Sequence, residues 1–377
     1  MASTKPDWFD ELVPSHIMSI PPYVAGKPVA ELERELGVQH AIKLASNENP
    51  LGPCPRALEA IRSHLDSAHI YPEDSGPMLR QALAARLGLT AESVILGNGS
   101  DELMAMVAHL CIEPGAQAVI PANTFSMYRI CVEGFAGEVV PVELVNYRFD
   151  LKAMAKAVTS RTRLVFLTVP NNPTGTVVTR GELEAFLGDL AGRKVVLVFD
   201  EAYGEFVRDA DCPRGLDYLH GPVPILVLKT FSKIYGLAGL RIGYGFGAPW
   251  FVEMLNRVRP PFNVNSMAQA AALGALDDTD HVQRSFRHNA EGMVFLEAQL
   301  RAIGVQVVPS QANFLTFCLD SDARWVFDAL LLKGVIVRHL ASFGMPKCIR
   351  VSVGTDAENR RFISALKEVL RTEGLQQ

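Results

Sequence analysis

Short hydrophobic runs alternate with amphipathic stretches through the middle of the chain. This alternation is typical of βαβ units and predicts an α/β fold with a mostly parallel sheet. The strands predicted in this region are Ser93–Leu96, Ala118–Ile120, Glu138–Val142, Leu164–Val169, Val195–Asp200, Ile225–Leu228 and Gly243–Phe246. A helix is predicted over Glu102–Cys111, where apolar residues recur at helical spacing. Its apolar face consists of Leu103, Met106, Val107 and Leu110, which we assign to core packing.

The pattern changes after about Asn265, where a long helical stretch precedes a second group of β-rich runs. The strands predicted there are Val305–Val308, Asn313–Phe317, Val335–Arg338 and Ile349–Val353. An amphipathic helix over Ala357–Arg371 closes the chain. These elements predict a second, smaller α+β domain.

Four prolines mark the opening of the chain, namely Pro14, Pro21, Pro22 and Pro28. Because proline lacks the amide donor and restricts its predecessor, we expect an extended arm there rather than regular helix. The predicted division is an arm over residues 1–45 that partly joins the small domain, a large domain over 46–265 and a small domain over 266–377.

Composition and charge favour a soluble globular protein that acts on small molecules. The 377 residues exceed the ~100–200 that one domain usually holds, and hydrophobic residues make up 49% of them. The net charge of −5 comes from scattered residues, so no basic patch for nucleic acid or an anionic membrane is evident. No apolar run reaches the ~18 residues that cross a bilayer. Acidic residues near the start replace the apolar core of a secretory signal, which predicts a cytoplasmic location.

The cysteines and histidines show no spacing typical of a metal or redox site. The six cysteines lie far apart and include no Cys-x-x-Cys pair, so we expect reduced, mostly buried thiols. The nine histidines form no His-Glu-x-x-His motif. The sequence therefore predicts no metal.

Polar and glycine-containing turns follow three of the predicted strands. They are Gly97–Ser100, Pro170–Gly175 and Asp200–Tyr203. Ligands of open α/β sheets bind at the carboxyl ends of the strands. The candidate chemistry therefore concentrates at one edge of the predicted sheet.

Lys233 follows the predicted strand Ile225–Leu228 and has hydroxyl residues nearby. Most lysines are solvated surface groups. A partly buried lysine with a lowered pKa is instead a nucleophile, and imine formation with an aldehyde is its characteristic reaction. Thr230, Ser232 and Arg241 could together bind a dianionic phosphate through charge-assisted hydrogen bonds.

Asp200 ends a predicted buried strand. Taken alone, an acid at that position more often caps the following helix. A buried carboxylate can also keep a pyridine nitrogen protonated, which lets the ring absorb electrons from a carbanion. Both interpretations remain open on the residue alone.

Two turns and one aromatic residue are weaker candidates. Asn171–Gly175 is a turn by composition. Gly97–Asp101 joins a strand to a helix, where free amides can bind phosphate, although an ordinary βα turn would look the same. Phe125 is either a core residue or a stacking partner for a ring.

The segment Ser232–Tyr244 reads Ser-Lys-x-Tyr-Gly-Leu-Ala-Gly-Leu-Arg-x-Gly-Tyr and resembles the lysine motif of the fold-type I aminotransferases. These enzymes use pyridoxal 5'-phosphate (PLP) and have a mixed, mostly parallel sheet in a large domain. The resemblance implies that Lys233 bonds the PLP aldehyde as an imine. It also implies that Thr230, Ser232 and Arg241 contact the PLP phosphate.

The same resemblance implies roles for the other candidates. Asp200 would protonate the ring nitrogen, Tyr203 and Asn172 would contact the ring oxygen, and Phe125 would stack on the ring. The turn residues expected at the phosphate are Gly99, Ser100 and Asp101.

Four further segments resemble the histidinol-phosphate aminotransferase family, and the likeness extends over nearly the whole chain. They are Pro22–Pro28, Lys43–Gly52, Tyr71–Glu73 and Arg259–Asn265. This resemblance implies a transfer of the amino group of L-histidinol phosphate to 2-oxoglutarate in histidine biosynthesis. The implied substrate-binding residues are Tyr23, Asn47, Arg338 and Arg350, with Arg350 also at the family's carboxylate position. Tyr71 would reach the PLP phosphate of a neighbouring subunit, which implies a homodimer with shared active sites.

Three alternatives share parts of this pattern. Aromatic-amino-acid aminotransferases and threonine-phosphate decarboxylases have much of the same motif set. A non-catalytic PLP-binding domain of a transcription regulator is the alternative from another class, and it would require a helix-turn-helix segment.

Overall fold

A seven-stranded sheet between Val94 and Phe246 organises the larger part of the computed structural model, which describes residues 5–6, 8–23 and 26–374. The strands are β1 (Ile42–Lys43), β2 (Val94–Gly97), β3 (Gln117–Pro121), β4 (Glu138–Val142), β5 (Leu144–Val145), β6 (Arg148–Phe149), β7 (Thr162–Thr168), β8 (Val196–Asp200), β9 (Ile225–Thr230), β10 (Gly243–Phe246), β11 (Gln306–Val308), β12 (Phe314–Cys318), β13 (Val335–Ile336), β14 (Arg338–His339) and β15 (Cys348–Ser352). The large sheet has the order β2-β10-β9-β8-β7-β3-β4. Strand β10 runs antiparallel to both neighbours and the other pairs are parallel, which confirms the predicted mixed, mostly parallel sheet.

Helices cover both faces of this sheet, and others pack against a second sheet. They are α1 (Phe9–Leu12), α2 (Ser15–Met18), α3 (Val29–Leu36), α4 (Pro55–His64), α5 (Pro77–Leu87), α6 (Ser100–Cys111), α7 (Met127–Gly134), α8 (Leu151–Ala157), α9 (Arg180–Leu190), α10 (Pro249–Asn256), α11 (Ser266–Asp277), α12 (Thr279–Ile303), α13 (Arg324–Leu332) and α14 (Asp356–Gly374). The middles of the central strands are apolar because both faces of the sheet are covered, and polar residues such as Asp200 and Thr230 stand at the carboxyl ends. The predicted helix over Glu102–Cys111 is present as α6, and three of its four predicted core residues are fully buried, with Leu110 partly exposed.

The second sheet is antiparallel, with the order β11-β12-β15-β14, and it packs with α12, α13 and α14 around a separate core. Strand β1 comes from the N-terminal part of the chain and pairs with β13, parallel and in register at Ile42 and Val335. Helix α11 packs instead against α4, where a Cβ on Gly274 would lie 2.8 Å from the Arg56 carbonyl oxygen. Close approach of the two backbones therefore requires glycine at this position.

The structure corrects two of the predicted elements. Val335–Arg338 is not one strand, because β13 pairs with β1 whereas β14 pairs with β15 in the other sheet. The N-terminal arm is not wholly extended, since it contains the short helices α1, α2 and α3. Its prolines still lie outside those helices, and Pro14 and Pro28 directly precede two of them.

The prediction that all cysteines are reduced is wrong for one pair. Cys318 and Cys348 form a disulfide between facing positions of β12 and β15, with their Cα atoms 4.1 Å apart. The two residues are 30 positions apart, and the strand register, which sequence spacing does not reveal, brings them together. The other four cysteines are free thiols.

Within residues 5–6, 8–23 and 26–374, no helix combines the length and apolarity that a bilayer crossing requires.

Candidate active site

A cavity of about 250 Å³ opens at the carboxyl ends of β7, β8 and β9, the edge where the sequence places its candidate residues. Its lining comprises Tyr23, Gly26, Ala45, Ser46, Asn47, Glu48, Ser100, Asp101, Phe125, Tyr128, Thr168, Asn172, Asp200, Ala202, Tyr203, Thr230, Ser232, Lys233, Ala238, Arg241, Phe343, Arg338 and Arg350. Residues from both sheets and from the N-terminal arm thus surround one space.

Asp200 is the buried acid of this cavity. Its carboxylate accepts hydrogen bonds from the Tyr128 hydroxyl at 2.7 Å and from the Ala202 amide at 2.9 Å. The Tyr128 hydroxyl also lies 2.6 Å from Thr168 Oγ1, and because its single hydrogen goes to Asp200, Thr168 is the donor in that second bond. Burial raises the pKa of Asp200 to about 6, against the opposing effect of these hydrogen bonds. A cationic partner would therefore stabilise the ionised form of this acid.

Lys233 lines the cavity, and the pKa of its amine is shifted towards neutral pH. Nζ donates to the Ser46 carbonyl at 3.2 Å and lies 5.6 Å from the centroid of the Tyr203 ring. Burial, followed by the charge of Arg350, lowers the pKa of Lys233 to about 8. A larger fraction of neutral amine is available at physiological pH than for a solvated lysine.

Asn47 fixes the Tyr203 hydroxyl. Its Nδ2 donates to Tyr203 Oη at 2.9 Å. Ser352 orients Asn47, accepting from its backbone amide and donating to Oδ1, both at 2.9 Å. Asn47 has a φ of +56°, a conformation that asparagine tolerates better than most residues. The Tyr203 hydroxyl is consequently held at a defined position in the cavity wall.

A group of anion-binding donors lies at one end of the cavity, around the start of α6. Ser100 is the first residue of that helix, and Gly99 before it has a φ of +81°. The Arg241 guanidinium lies against Gly99, where an added Cβ would be 2.5 Å from its Nη2. Arg241 also donates to Ser232 Oγ at 3.5 Å and pairs with Asp101 at 3.2 Å. Helix amides, hydroxyls and a guanidinium together form a site suited to a phosphate.

A second cationic group contains Arg350 and Arg338, which face each other across β14 and β15. Arg350 is 5% exposed, donates to Asn172 Oδ1 and donates to the Ala45 carbonyl at 2.7 Å. Its Nε is buried and has no hydrogen-bond partner. Burial lowers the pKa of Arg350 to about 10. A buried guanidinium with a free donor is a binding site for an anionic ligand.

Two aromatic residues complete the wall near these arginines. Tyr23 is exposed, and its ring lies edge-on to Phe125 with the centroids 6.5 Å apart. Phe125 in turn lies edge-on to Tyr128 at 5.8 Å.

The structure brings together fourteen of the sixteen predicted site residues as cavity lining. Gly99 lies directly behind the lining, against Arg241. Tyr71 lies elsewhere on the surface, 79% exposed and stacked on Phe262 at 4.7 Å. Sequence reasoning missed Tyr128 and Thr168, because the hydrogen bonds that link them to Asp200 join residues far apart in the chain.

This chain is similar to known aminotransferases over almost its whole length. The family model "Aminotransferase class I and II" matches residues 39–366. The chain is 48% identical over 355 residues to the histidinol-phosphate aminotransferase of Moorella thermoacetica, covering 94% of this chain and 92% of that protein. It is 46% identical over 356 residues to histidinol-phosphate aminotransferase 2 of Pseudomonas fluorescens, covering 94% and 96%. The crystal structure of histidinol-phosphate aminotransferase from Sinorhizobium meliloti, in complex with pyridoxal 5'-phosphate, superposes with a TM-score of 0.89 at 31% identity, covering 96% and 98%.

Proposed function

The chain belongs to the class I and class II aminotransferases, and we propose that it transfers the amino group of L-histidinol phosphate to 2-oxoglutarate. The products are imidazole acetol phosphate and glutamate, and the reaction is a step of histidine biosynthesis. The observation that carries this proposal is the presence of two separate cationic groups in one cavity, around Arg241 and around Arg350. One group suits the cofactor phosphate and the other the phosphate of the substrate.

The cavity fits PLP as the cofactor. The buried carboxylate of Asp200 suits a protonated pyridine nitrogen, and its raised pKa falls again once a cationic partner is present. The residues that would hold the phosphate of PLP are Gly99, Ser100, Thr230, Ser232 and Arg241, which lie together around the start of α6. When bound, PLP supplies an aldehyde that accepts the amino group and a ring that absorbs electrons released at the substrate Cα.

We assign Lys233 as the residue that holds the cofactor and moves the proton. With a pKa of about 8, the Lys233 amine would hold the aldehyde carbon of the cofactor and would serve as a general base near neutral pH. The Ser46 carbonyl orients the freed amine. Lys233 would carry a proton from the substrate Cα to the C4' carbon of the cofactor.

Tyr203, Asn172 and Phe125 are proposed to position the ring. Arg350 donates a hydrogen bond to Asn172 Oδ1, which leaves Nδ2 of that amide as the donor for the ring oxygen. The Tyr203 hydroxyl accepts from Asn47 and keeps its own hydrogen for the same oxygen. Phe125 would lie against the face of the ring.

Tyr23, Asn47, Arg338 and Arg350 are proposed as the substrate-binding residues. Arg350 Nε is a buried donor in need of an acceptor, which a phosphate or carboxylate oxygen would supply. The ring of Phe343 lies beneath the Arg338 guanidinium, 5.9 Å away, and orients it at the cavity wall.

We further propose a cytoplasmic homodimer in which Tyr71 completes the site of the partner subunit. The Tyr71 and Phe262 rings are stacked, and they are 79% and 43% exposed. Ile70 and Met78 nearby are 60% and 62% exposed, so this surface is apolar. An exposed apolar surface of this kind is typical of a subunit interface.

A donor screen with purified protein and 2-oxoglutarate tests the reaction. Histidinol phosphate, phenylalanine and phosphothreonine are compared at equal concentrations, and we expect histidinol phosphate to be the best donor by kcat/KM. Arg338→Gln should raise KM for histidinol phosphate more than KM for phenylalanine, whereas Arg324→Gln, an exposed control, should change neither. A preference for phenylalanine would indicate an aromatic aminotransferase, and release of carbon dioxide from phosphothreonine would indicate a decarboxylase. PLP binding without turnover of any donor would favour a non-catalytic sensor.

A further inference from the structure

Two buried asparagines behind the cavity each have a side-chain oxygen without a hydrogen-bond partner. Asn289 lies on α12 and Asn313 directly precedes β12, and they are 4% and 3% exposed. The amide nitrogen of Asn289 donates to the Ala312 carbonyl at 3.3 Å, and that of Asn313 donates to the Asn47 carbonyl at 2.9 Å. These bonds fix the orientation of both amides, so the unpaired atom is an acceptor in each case.

Both side chains line a small cavity of about 10 Å³, separate from the candidate active site. The other lining residues are Asn49, Pro50, Phe206, Ser285, His288 and Val353. Ser285 Oγ accepts from Asn49 at 2.9 Å, so that bond does not use its hydroxyl hydrogen. Asn289 and Asn313 thus supply two acceptors, and Ser285 can supply one donor. The volume of the cavity is close to the minimum of roughly 10–15 Å³ that one water molecule requires.

We propose that this cavity binds one structural water molecule. The water donates one hydrogen to Asn289 Oδ1 and the other to Asn313 Oδ1, and it accepts from the Ser285 hydroxyl. Three such bonds are typical of a buried water. A metal cation suits the site less well, because it would need roughly six oxygen ligands and the lining contains no carboxylate.

The water supports a chain of hydrogen bonds that leads to the active site. It holds the Asn313 amide, which donates to the Asn47 carbonyl, and Asn47 donates to the Tyr203 hydroxyl at 2.9 Å. Asn289 and Asn313 are therefore positioning residues for Tyr203. This second step rests on the proposed function, whereas the water site itself does not.

A high-resolution crystal structure of the holoenzyme tests the site directly. We expect one density peak within about 2.7–3.2 Å of both Oδ1 atoms. An electron-density map with no peak between the two Oδ1 atoms would overturn the proposal. A peak with shorter contacts of about 2.0–2.6 Å, typical of a cation, would overturn it as well. In Asn289→Leu the peak should be lost, while Gln299→Leu, a matched amide-to-leucine change on α12 outside the cavity, should keep it.

The positioning effect is tested by the pH midpoint of the visible absorbance of the bound cofactor. Asn289→Leu should shift this midpoint in the same direction as Asn47→Ala, and Gln299→Leu should leave it at the wild-type value. A midpoint in Asn289→Leu equal to that of wild type, with the peak lost and Asn47→Ala shifted, would overturn the positioning role while leaving the water site intact. Failure of the proposed function would appear differently, as a protein with the water peak but without turnover of any donor.

Discussion

Two lysines four residues apart show how the environment sets chemistry at the residue scale. Burial lowers the pKa of Lys233 to about 8, and the nearby charge of Arg350 adds to that effect. Burial acts in the same direction on Lys229, but Glu205 and Glu201 outweigh it and raise the pKa of that amine well above its ordinary value. Lys233 is therefore suited to chemistry and Lys229 to a permanent ion pair.

Lys233→Ala should abolish the covalent attachment of the cofactor. We expect activity to fall by roughly 100- to 10,000-fold, because the variant lacks both the carbonyl-bonding amine and the base. Reduction with borohydride followed by mass spectrometry should label the wild-type peptide and not that of the variant. Lys333→Ala, at an exposed ion pair with Glu368, is the control and should keep both label and activity. Full activity in the Lys233 variant would contradict the role assigned to this lysine.

Asp200 should make the cofactor-free protein less stable as the pH rises. Its carboxyl is protonated in both the folded and unfolded states below about pH 4, whereas above pH 6 it is ionised in both and burial penalises the folded state. The pKa increase from 3.8 to about 6 corresponds to a cost of about 3 kcal/mol, which develops between those two values.

Denaturant unfolding of the cofactor-free wild type and of Asp200→Asn, from pH 4 to pH 7, measures this effect. The free energy of unfolding of the variant should rise relative to that of wild type as the pH rises, because the variant has no charge to bury. A constant difference in unfolding free energy between the two proteins across that range would contradict the prediction. Bound PLP should diminish the effect, because the ring cation stabilises the ionised acid.

At the scale of elements, the ion pairs of Lys229 connect the end of β8 to β9. Lys229 Nζ lies 3.3 Å from Glu201 and 2.9 Å from Glu205, and all three side chains are at most 15% exposed. Glu201 also accepts from the Gly215 amide at 2.6 Å. The cluster thereby holds the segment that carries Asp200 and Tyr203 against the strand that leads to Lys233.

Lys229→Met should destabilise the protein by about 3–5 kcal/mol, because it leaves two carboxylates buried without a counterion. The denaturant midpoint is the measurement, and Lys333→Met at the exposed Glu368 pair is the control, with an expected loss below about 1 kcal/mol. Adding Glu201→Gln and Glu205→Gln to Lys229→Met should recover part of the loss. If the single variant were as stable as its control, the cluster would have no structural role.

Sequence patterns predicted the individual elements well but not their long-range partners. Apolar runs located the parallel strands, because periodicity is a local property. The Val335–Arg338 run gave no sign that its halves pair with different strands, since pairing depends on register. The same limit explains the missed Cys318–Cys348 disulfide and the missed bond from Tyr128 to Asp200. The site residues were found mainly through motif resemblance, which carries spatial information that composition lacks.

At the scale of the whole molecule, the candidate site depends on parts of the chain that are far apart in sequence. Tyr23 comes from the N-terminal arm, Lys233 from the end of the large sheet and Arg350 from the small one. The pairing of β1 with β13 joins the N-terminal part of the chain to the strands next to Arg338. The predicted boundaries at residues 45 and 265 remain predictions, and α11, just beyond the second boundary, packs with the core of the large sheet.

Mixing Tyr71→Ala with Lys233→Ala tests whether Tyr71 acts across a dimer. Tyr71 lies outside the cavity of its own chain, so we expect Tyr71→Ala to impair the partner's site and Lys233→Ala to inactivate its own. A mixed dimer then contains one site with an intact Lys233 and an intact Tyr71 from the partner, and one site that lacks both. Random reassortment makes half of the dimers mixed, so activity should recover to about one quarter of wild type, in line with the two-fold symmetry of such dimers. If Tyr71 served its own subunit, each mixed dimer would contain one site without Lys233 and one without Tyr71, and reassortment would restore nothing. Activity measured before and after a cycle of denaturation and refolding of the mixture distinguishes the two arrangements.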